Sequence, residues 1–440
     1  MSKKNDRDNH RPPVCRVVRR PWLISLSLGC WLWPDLTAHA QDALFSALSL
    51  DSVVAAQNQN NTNPPVAHPP DQPYLGPLHL SLGAYSSFDF DNDINLSQYS
   101  PQSDVIIGSG LNLGVSWPAT SLSTLQFSSQ VGYNFYLRHP ADDYLQISPG
   151  SALTWTFLLD DWSLTFFDQL GYSRNVISVA AVSNVSGIPI LNNTLGLRAQ
   201  WQSGQWQLQT GYSYNDYLST AAEFNYLDNA SQYFFARGAW LFAGDAQLGL
   251  EASTSITDYS HQTQSDSTSY SAGPYLEWNV IHSLHVSLHG GPTIYVFAAN
   301  ASGQASSSLN SYYVNLDLTH QLTAFISEEL SVDRSVSLGY GVGTAYTQLL
   351  NTSYTVRWAA KPWLNFTLGL NYQVGQQPGT IGLFNTTENF DRFGISSGVS
   401  YQITHKLSSS LNYSHWTRGS NIPGNSYGDD NVSLQFQYAF

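Results

Sequence analysis

His285 and His289 stand four positions apart, with Ser287 between them and Gly291 and Tyr295 following in the same phase. On a helix that spacing would let both imidazoles reach one metal ion. In an extended strand, side chains four residues apart are ~13 Å from one another, and no shared metal is expected. Charged side chains in a comparable polar phase are few: Arg198, Arg237, Glu251, Glu277, Arg357 and Arg392. Isolated charges on a water-facing wall either pair with one another or polarise what passes them, and that is the chemistry these six could do. Asp89-Phe90-Asp91-Asn92-Asp93 carries the odd-position carboxylates of a calcium loop. Ile94, however, takes the sixth position, where such a loop needs Gly, and Ser100 the twelfth, where it needs Glu, so a solvated loop tip is expected. His282, His320 and His405 recur as Ile-His-Ser-Leu, Thr-His-Gln-Leu and Thr-His-Lys-Leu, a repetition that belongs to hairpin turns. Ser, His and Asp side chains can be combined across neighbouring strands in too many ways to single out a triad. No cofactor signature is present, and the chain is not read as an enzyme.

The elements that must position these residues are strands. Side chains of a strand alternate between two faces, and after Leu78 the chain alternates in stretches of roughly ten residues, the length that crosses a bilayer when tilted. Clear examples are Leu78 to Ala84, Val105 to Val115, Leu125 to Phe135, Leu145 to Phe157, Trp206 to Tyr214, Tyr270 to Val280, Leu284 to Val296, Leu364 to Val374 and Phe393 to Ile403. About 18 such stretches can be counted, by the spacing expected of barrel strands. Two break phase: Asp168 and Glu328 fall among the apolar positions, and a bulge that shifts the alternation by one is expected near each.

The connections alternate in length. Short ones centre on Pro118-Ala119-Thr120, Leu159-Asp160-Asp161, Gln202-Ser203-Gly204, Ala243-Gly244-Asp245, Ile281-His282-Ser283, Thr319-His320-Gln321, Ala360-Lys361-Pro362 and Thr404-His405-Lys406. Those between them are mostly longer and rich in Asp, Asn, Ser and Gly. Short periplasmic turns and long outer loops give this asymmetry, and an even strand count follows if both chain ends lie on the periplasmic side. Trp117, Trp155, Trp162, Trp201, Trp206, Trp240, Trp278, Trp358 and Trp363 all fall at strand ends beside the short turns. An amphipathic indole prefers the interface between membrane and water, so these nine are expected to form a periplasmic aromatic girdle.

The last strand is the plainest. Val432, Leu434, Phe436, Tyr438 and Phe440 share one apolar face, Ser433, Gln435, Gln437 and Ala439 the other, and the chain stops on Phe440. This resembles the C-terminal signal of outer-membrane barrels, and the resemblance implies that Phe436, Tyr438 and Phe440 are read by the barrel-assembly machinery. From Leu78 to Phe440 the chain resembles the β-barrel porin families of Gram-negative bacteria, including barrels encoded beside exopolysaccharide gene clusters. The shared features are the alternation, the turn asymmetry and the terminal Phe. The fold class expected is therefore all-β, a transmembrane antiparallel barrel of about 18 strands in the outer membrane.

Ahead of it, Lys3, Lys4, Arg7, Arg11, Arg16, Arg19 and Arg20 precede an apolar run from Pro21 to Trp33 and then Ala38-His39-Ala40. Residues 1–40 read as a signal peptide, with the mature chain starting at Gln41. Residues 41–77, polar and Pro- and Asn-rich, read as a periplasmic leader and linker. The barrel takes 78–440. Removing 1–40 removes both cysteines, Cys15 and Cys30, and leaves 10 basic against 28 acidic residues. Thiol chemistry is excluded by that, and nucleic acid is not a partner. Only 11% of residues are charged, against ~25% in ordinary soluble domains. Expected partners are outer-membrane lipid and lipopolysaccharide, with Asp142-Asp143 and Asp429-Asp430 as candidates for cation bridges to it, and a periplasmic export partner if residues 41–77 dock one. The resemblance implies passive passage of small polar solutes. A hydroxyl- and amide-rich bore points weakly to sugar-like ones, and polysaccharide export or a non-conducting adhesive barrel are the alternatives. Asn175 to Asn193 is the loop best suited to fold into the bore.

Overall fold

In the computed structural model, residues 74–440 are described except for 175, 177, 178, 243–245, 302–304 and 379–386. The proposed signal peptide and most of the leader lie outside the described residues. A two-residue strand β1 (Tyr74–Leu75) turns at Gly76, whose φ of 65° suits glycine, and pairs with the start of β2.

The alternating stretches form β2 (Leu78–Asp91), β3 (Asp104–Thr120), β4 (Ser123–Tyr136), β5 (Tyr144–Leu159), β6 (Trp162–Ser173), β7 (Ile190–Ser203), β8 (Trp206–Ser219), β9 (Asn229–Phe242) and β10 (Ala246–Tyr259). They continue as β11 (Ser267–Ile281), β12 (Leu284–Phe297), β13 (Ser307–Thr323), β14 (Ile326–Leu338), β15 (Tyr346–Lys361), β16 (Leu364–Gln377), β17 (Glu388–Gln402), β18 (Leu407–Ser420) and β19 (Tyr427–Ala439). Each pairs antiparallel with its sequence neighbour, and β19 pairs back onto β2 from Asn431 opposite Asp91 to Ala439 opposite Gly83. The result is a closed barrel of 18 strands, β2–β19. Closure leaves no unpaired edge, and the backbone polar groups of the wall bond between neighbouring strands, which is what lets strands cross a bilayer. Its outside carries exposed apolar side chains such as Leu111, Leu195, Leu250 and Leu368, far more than water tolerates, so the molecule is a barrel of the outer-membrane type.

The short connections share one end of the barrel. Two lie further along the chain than the sequence places them: β3 continues through Pro118 to Thr120, and β13 runs through His320 to Thr323 before the turn. In each case a small register shift at the strand end, Pro118/Thr120 and Gln321/Thr323, lets the pairing continue into what reads as turn chemistry.

Neither expected rescue by a bulge occurs. Asp168 sits in an unbroken register between β6 and β7, opposite Leu195, and faces outward with Phe166 and Leu170. Glu328 also stays on the outer face, opposite His320 near the short-turn end, where His320 Nδ1 lies 2.9 Å from one carboxylate oxygen and the Tyr354 hydroxyl donates at 2.7 Å to the other. The pronounced bulge is elsewhere. β5 carries extra residues between Ile147 and Ser151, where Pro149, which has no N–H to give the ladder, packs against the missing side chain of Gly171.

Candidate functional site

Inward side chains line the lumen, and the wall formed by β9–β13 holds a network of charged side chains. Arg237 on β9 stands opposite Glu251 on β10, and Glu277 on β11 lies within 3.5 Å of the Arg237 guanidinium. His289 on β12 reaches both carboxylates, with Nδ1 2.9 Å from Glu251 and Nε2 3.9 Å from Glu277. Tyr313 on β13 donates its hydroxyl to the other oxygen of Glu251 at 2.8 Å. Tyr275 stacks on the His289 ring at 5.2 Å and carries the Arg237 guanidinium 5.5 Å from its own centroid. Gln247 donates to Glu277. Three of the six charges singled out in the sequence, Arg237, Glu251 and Glu277, thus form one network with His289, Tyr275 and Tyr313. His285, on the same face, turns instead to Asn279 at 2.9 Å. At the level of this network the opposite wall, β19, β2 and β3, presents Gln435, Gln437, Ser81, Asn112 and Ser116, while its inward carboxyls Asp89, Asp91 and Asp429 lie nearer the outer end. A solute passing the network therefore meets ordered charge on one side and amides and hydroxyls on the other.

The remaining three charges stand apart. Arg198 on β7 points inward and is buried beside the close-packed rings of Phe167, Tyr233 and Phe235, two of which lie flat on cross-strand glycines, Phe167 on Gly196 and Phe235 on Gly211. Arg357 pairs with Glu329 at 2.9 Å toward the short-turn end. Arg392 lies near the outer end, wholly buried, its guanidinium 3.8 Å from the Trp416 ring and its N–H groups without a hydrogen-bond partner. Trp416 is the one tryptophan of β2–β19 that faces inward at this end, where it covers Gly394.

Across this outer end lies the loop between β6 and β7. Its stem is fixed at its own wall: Arg174 pairs with Asp142 at 2.9 Å, and the Ile188 N–H bonds the Arg174 carbonyl at 3.2 Å. Its tip reaches β15–β18, nine strands round an 18-strand ring and so diametrically opposite. There Arg418 Nε donates to the Ala180 carbonyl at 2.9 Å while its Nη2 pairs with Glu388 at 2.9 Å, and Ala180 packs on Leu349 and Phe390. Asn184, at a φ of 58° that Asn tolerates, donates to the Gly424 carbonyl at 3.0 Å, and its own N–H bonds Leu96 O at 2.9 Å. Around these ties the outer loops share an apolar cluster of Leu96, Val176, Val182, Ile188, Leu227 and Tyr427, joined by Phe224 and Tyr340. The loop chosen from the sequence does fold inward; its anchors, Arg418 and Gln377, whose amide donates to the Ala181 carbonyl at 3.5 Å, were not foreseen, because 238 residues separate Arg418 from Ala180.

The acidic residues of the outer end make hydrogen bonds within the protein. Asp93 is buried and accepts the Ser97 N–H at 3.0 Å, and burial pushes its carboxyl up to about 6. Asp143 accepts the Tyr136 N–H at 2.7 Å, and Asp430 binds Tyr413, His415 and Asn92. Among the described residues no group of three or more His, Cys, Asp or Glu side chains is placed to hold a metal ion.

The nine tryptophans beside the short turns lie at strand ends on the outer face; eight are exposed, and Trp201 is half-covered by Trp162, 6.4 Å away. Phe436 and Tyr438 face outward on β19, and Phe440 closes the chain with its ring against Tyr438 at 5.3 Å.

No family model matches the chain, and no curated protein does. Solved structures of Pseudomonas aeruginosa proteins are among those it is similar to, the outer-membrane protein OpdK for one. OpdK matches at 10% identity and TM-score 0.44, over 82% of this chain and 99% of that one. OccK2 (OpdF) matches at 11% and 0.45, over 82% and 98%, and OpdQ at 11% and 0.45, over 83% and 100%. Likeness at this level says nothing of what enters the lumen.

Proposed function

We propose that the protein is a passive, non-enzymatic outer-membrane channel for small polar solutes, with the loop between β6 and β7 as the constriction of its outer mouth. The observation that carries this reading is the contrast between two levels of the bore. Below, the wall is polar, and Arg237, Glu251, Glu277 and His289 pair with one another. Above, one loop spans to the far wall and is tied there by side chains rather than by strand pairing. A wall of hydroxyls and amides exchanges hydrogen bonds with polyols at little cost, which favours sugar-like solutes as the finer reading. The Arg237, Glu251, Glu277 and His289 network gives the bore a transverse field that would orient a dipolar solute in transit.

Single-channel conductance of the protein from Gln41 to Phe440, refolded into a planar bilayer with neutral sugars as blockers, tests it. Steady, sugar-sensitive openings support the channel. If both the parent and an Arg418→Ala variant remain silent although folded, the reading is wrong.

A further inference from the structure

The outer face of β6–β9 departs from the apolar pattern of the wall. Asp168, Asn193, Tyr214 and Asp216 all point outward, as the register fixes: Asp168 opposite Leu195, Leu195 opposite Tyr214, Asn193 opposite Asp216. Asn193 donates to Asp168 at 2.8 Å and to the Gln169 carbonyl at 3.1 Å, and the Tyr214 hydroxyl donates to Asp216 at 3.1 Å. Tyr212 adds a long bond to Gln232 at 3.5 Å on the next strand. Taking Trp162, Trp201 and Trp206 as one interface, and ~3.3 Å per residue at a tilt of ~40°, Asp168 lies about 15 Å into a band ~25 Å tall, with Asn193 and Asp216 rising toward the far interface. Asp168 is exposed there between Phe166 and Leu170. Hydrocarbon offers its carboxylate nothing, and an ionisable side chain facing lipid at this depth marks a site where something other than lipid belongs.

We propose that this sector is the interface with a second copy of the same chain, meeting it about a two-fold axis. An isologous contact must donate and accept from a single patch. The carboxamides of Asn193 and Gln232 and the phenols of Tyr212 and Tyr214 do both, and the carboxylates of Asp168 and Asp216 accept. A head-to-tail contact would instead need a cationic face. The outward-facing arginine of the strands, Arg334 on β14, is already engaged by Ser311, the Tyr312 carbonyl and Gln348. It also lies seven strands away from β7, roughly 140° round the wall, whereas a closed trimer needs contact faces about 60° apart. The proposal is independent of whether the bore conducts.

With both cysteines ahead of residue 41, a single introduced thiol is unique in the exported chain. Leu195→Cys places it within the patch, and Leu368→Cys, exposed on β16 at the far side, is the control. Both are reconstituted in liposomes and oxidised. The expected result is a covalent dimer at least tenfold more abundant from Leu195→Cys, and its loss when Asp168→Leu and Asn193→Leu are added, in a barrel still shown folded by its heat-dependent gel mobility. Equal cross-linking from the two sites, linkage to a different protein, or a monomer by native mass spectrometry in lipid discs would overturn it.

Discussion

Asp93 shows how burial at one carboxyl sets the behaviour of a loop. It closes the turn to Ser97 from a site with 1% exposure, and Asp91 is its charged neighbour. Its folded pKa, about 6, is above that of an unfolded Asp, so the folded loop binds the proton more tightly. The contribution to loop stability is then fully present below about pH 4 and is lost as pH rises through about 6. Backbone amides of 94–99 should exchange more slowly at pH 5 than at pH 7.5 after correction for intrinsic rates, and Asp93→Asn should flatten the difference. Arg418 presents the opposite case, a buried cation fully used. Breaking a buried pair by removing one partner costs about 3–5 kcal/mol, and here the loss also frees Ala180 O and leaves Glu388 without its cation. Arg418→Ala should therefore raise the frequency of open events in single-channel records, while Arg418→Lys, which keeps the charge but not the fork, should give an intermediate record.

At the scale of elements, the strands were legible because a period of two is local: each residue declares its face without reference to distant ones. Turn positions were less so. Thr319-His320-Gln321 reads as turn chemistry, yet His320 is held in β13 by Glu328 across the strand pair. Asp168 was legible as an anomaly but not as a lipid-facing residue, since a bulge and an interface leave the same mark in sequence. The lumen network was half legible. Arg237, Glu251 and Glu277 were found by phase, but their convergence depends on the stagger between strands, which alternation does not encode. The loop between β6 and β7 was picked by length and composition alone, and its anchors are contacts of long sequence separation. Because those anchors are side chains on the far wall, the loop is an appendage of the barrel and not part of its ladder. Replacing residues 179–187 with a short Gly-Ser linker should leave the heat-dependent gel shift of the folded barrel intact and raise single-channel conductance severalfold. A lost gel shift would mean that the loop is needed to form the wall.

The closed barrel depends on one seam, β19 on β2, where its last strand must find its first. Of all neighbouring strand pairs in the ring this one alone joins segments far apart in sequence, so it carries the largest loop-closure entropy of the ring. Phe440 adds one backbone bond to that seam, its N–H to Leu82 O at 3.0 Å, and one ring contact to Tyr438. A net hydrogen bond of ~1 kcal/mol is small beside a seam whose register runs from Asn431 to Ala439. Deleting Phe440 should then scarcely change refolding in detergent, read as the folded fraction on an unheated gel. If the terminal ring is instead read by assembly machinery in the cell, as the resemblance of the last strand implies, the same deletion should cut the amount of barrel reaching the outer membrane severalfold. Equal losses in both settings would make Phe440 a structural residue of the seam, and no loss in either would remove it from assembly altogether.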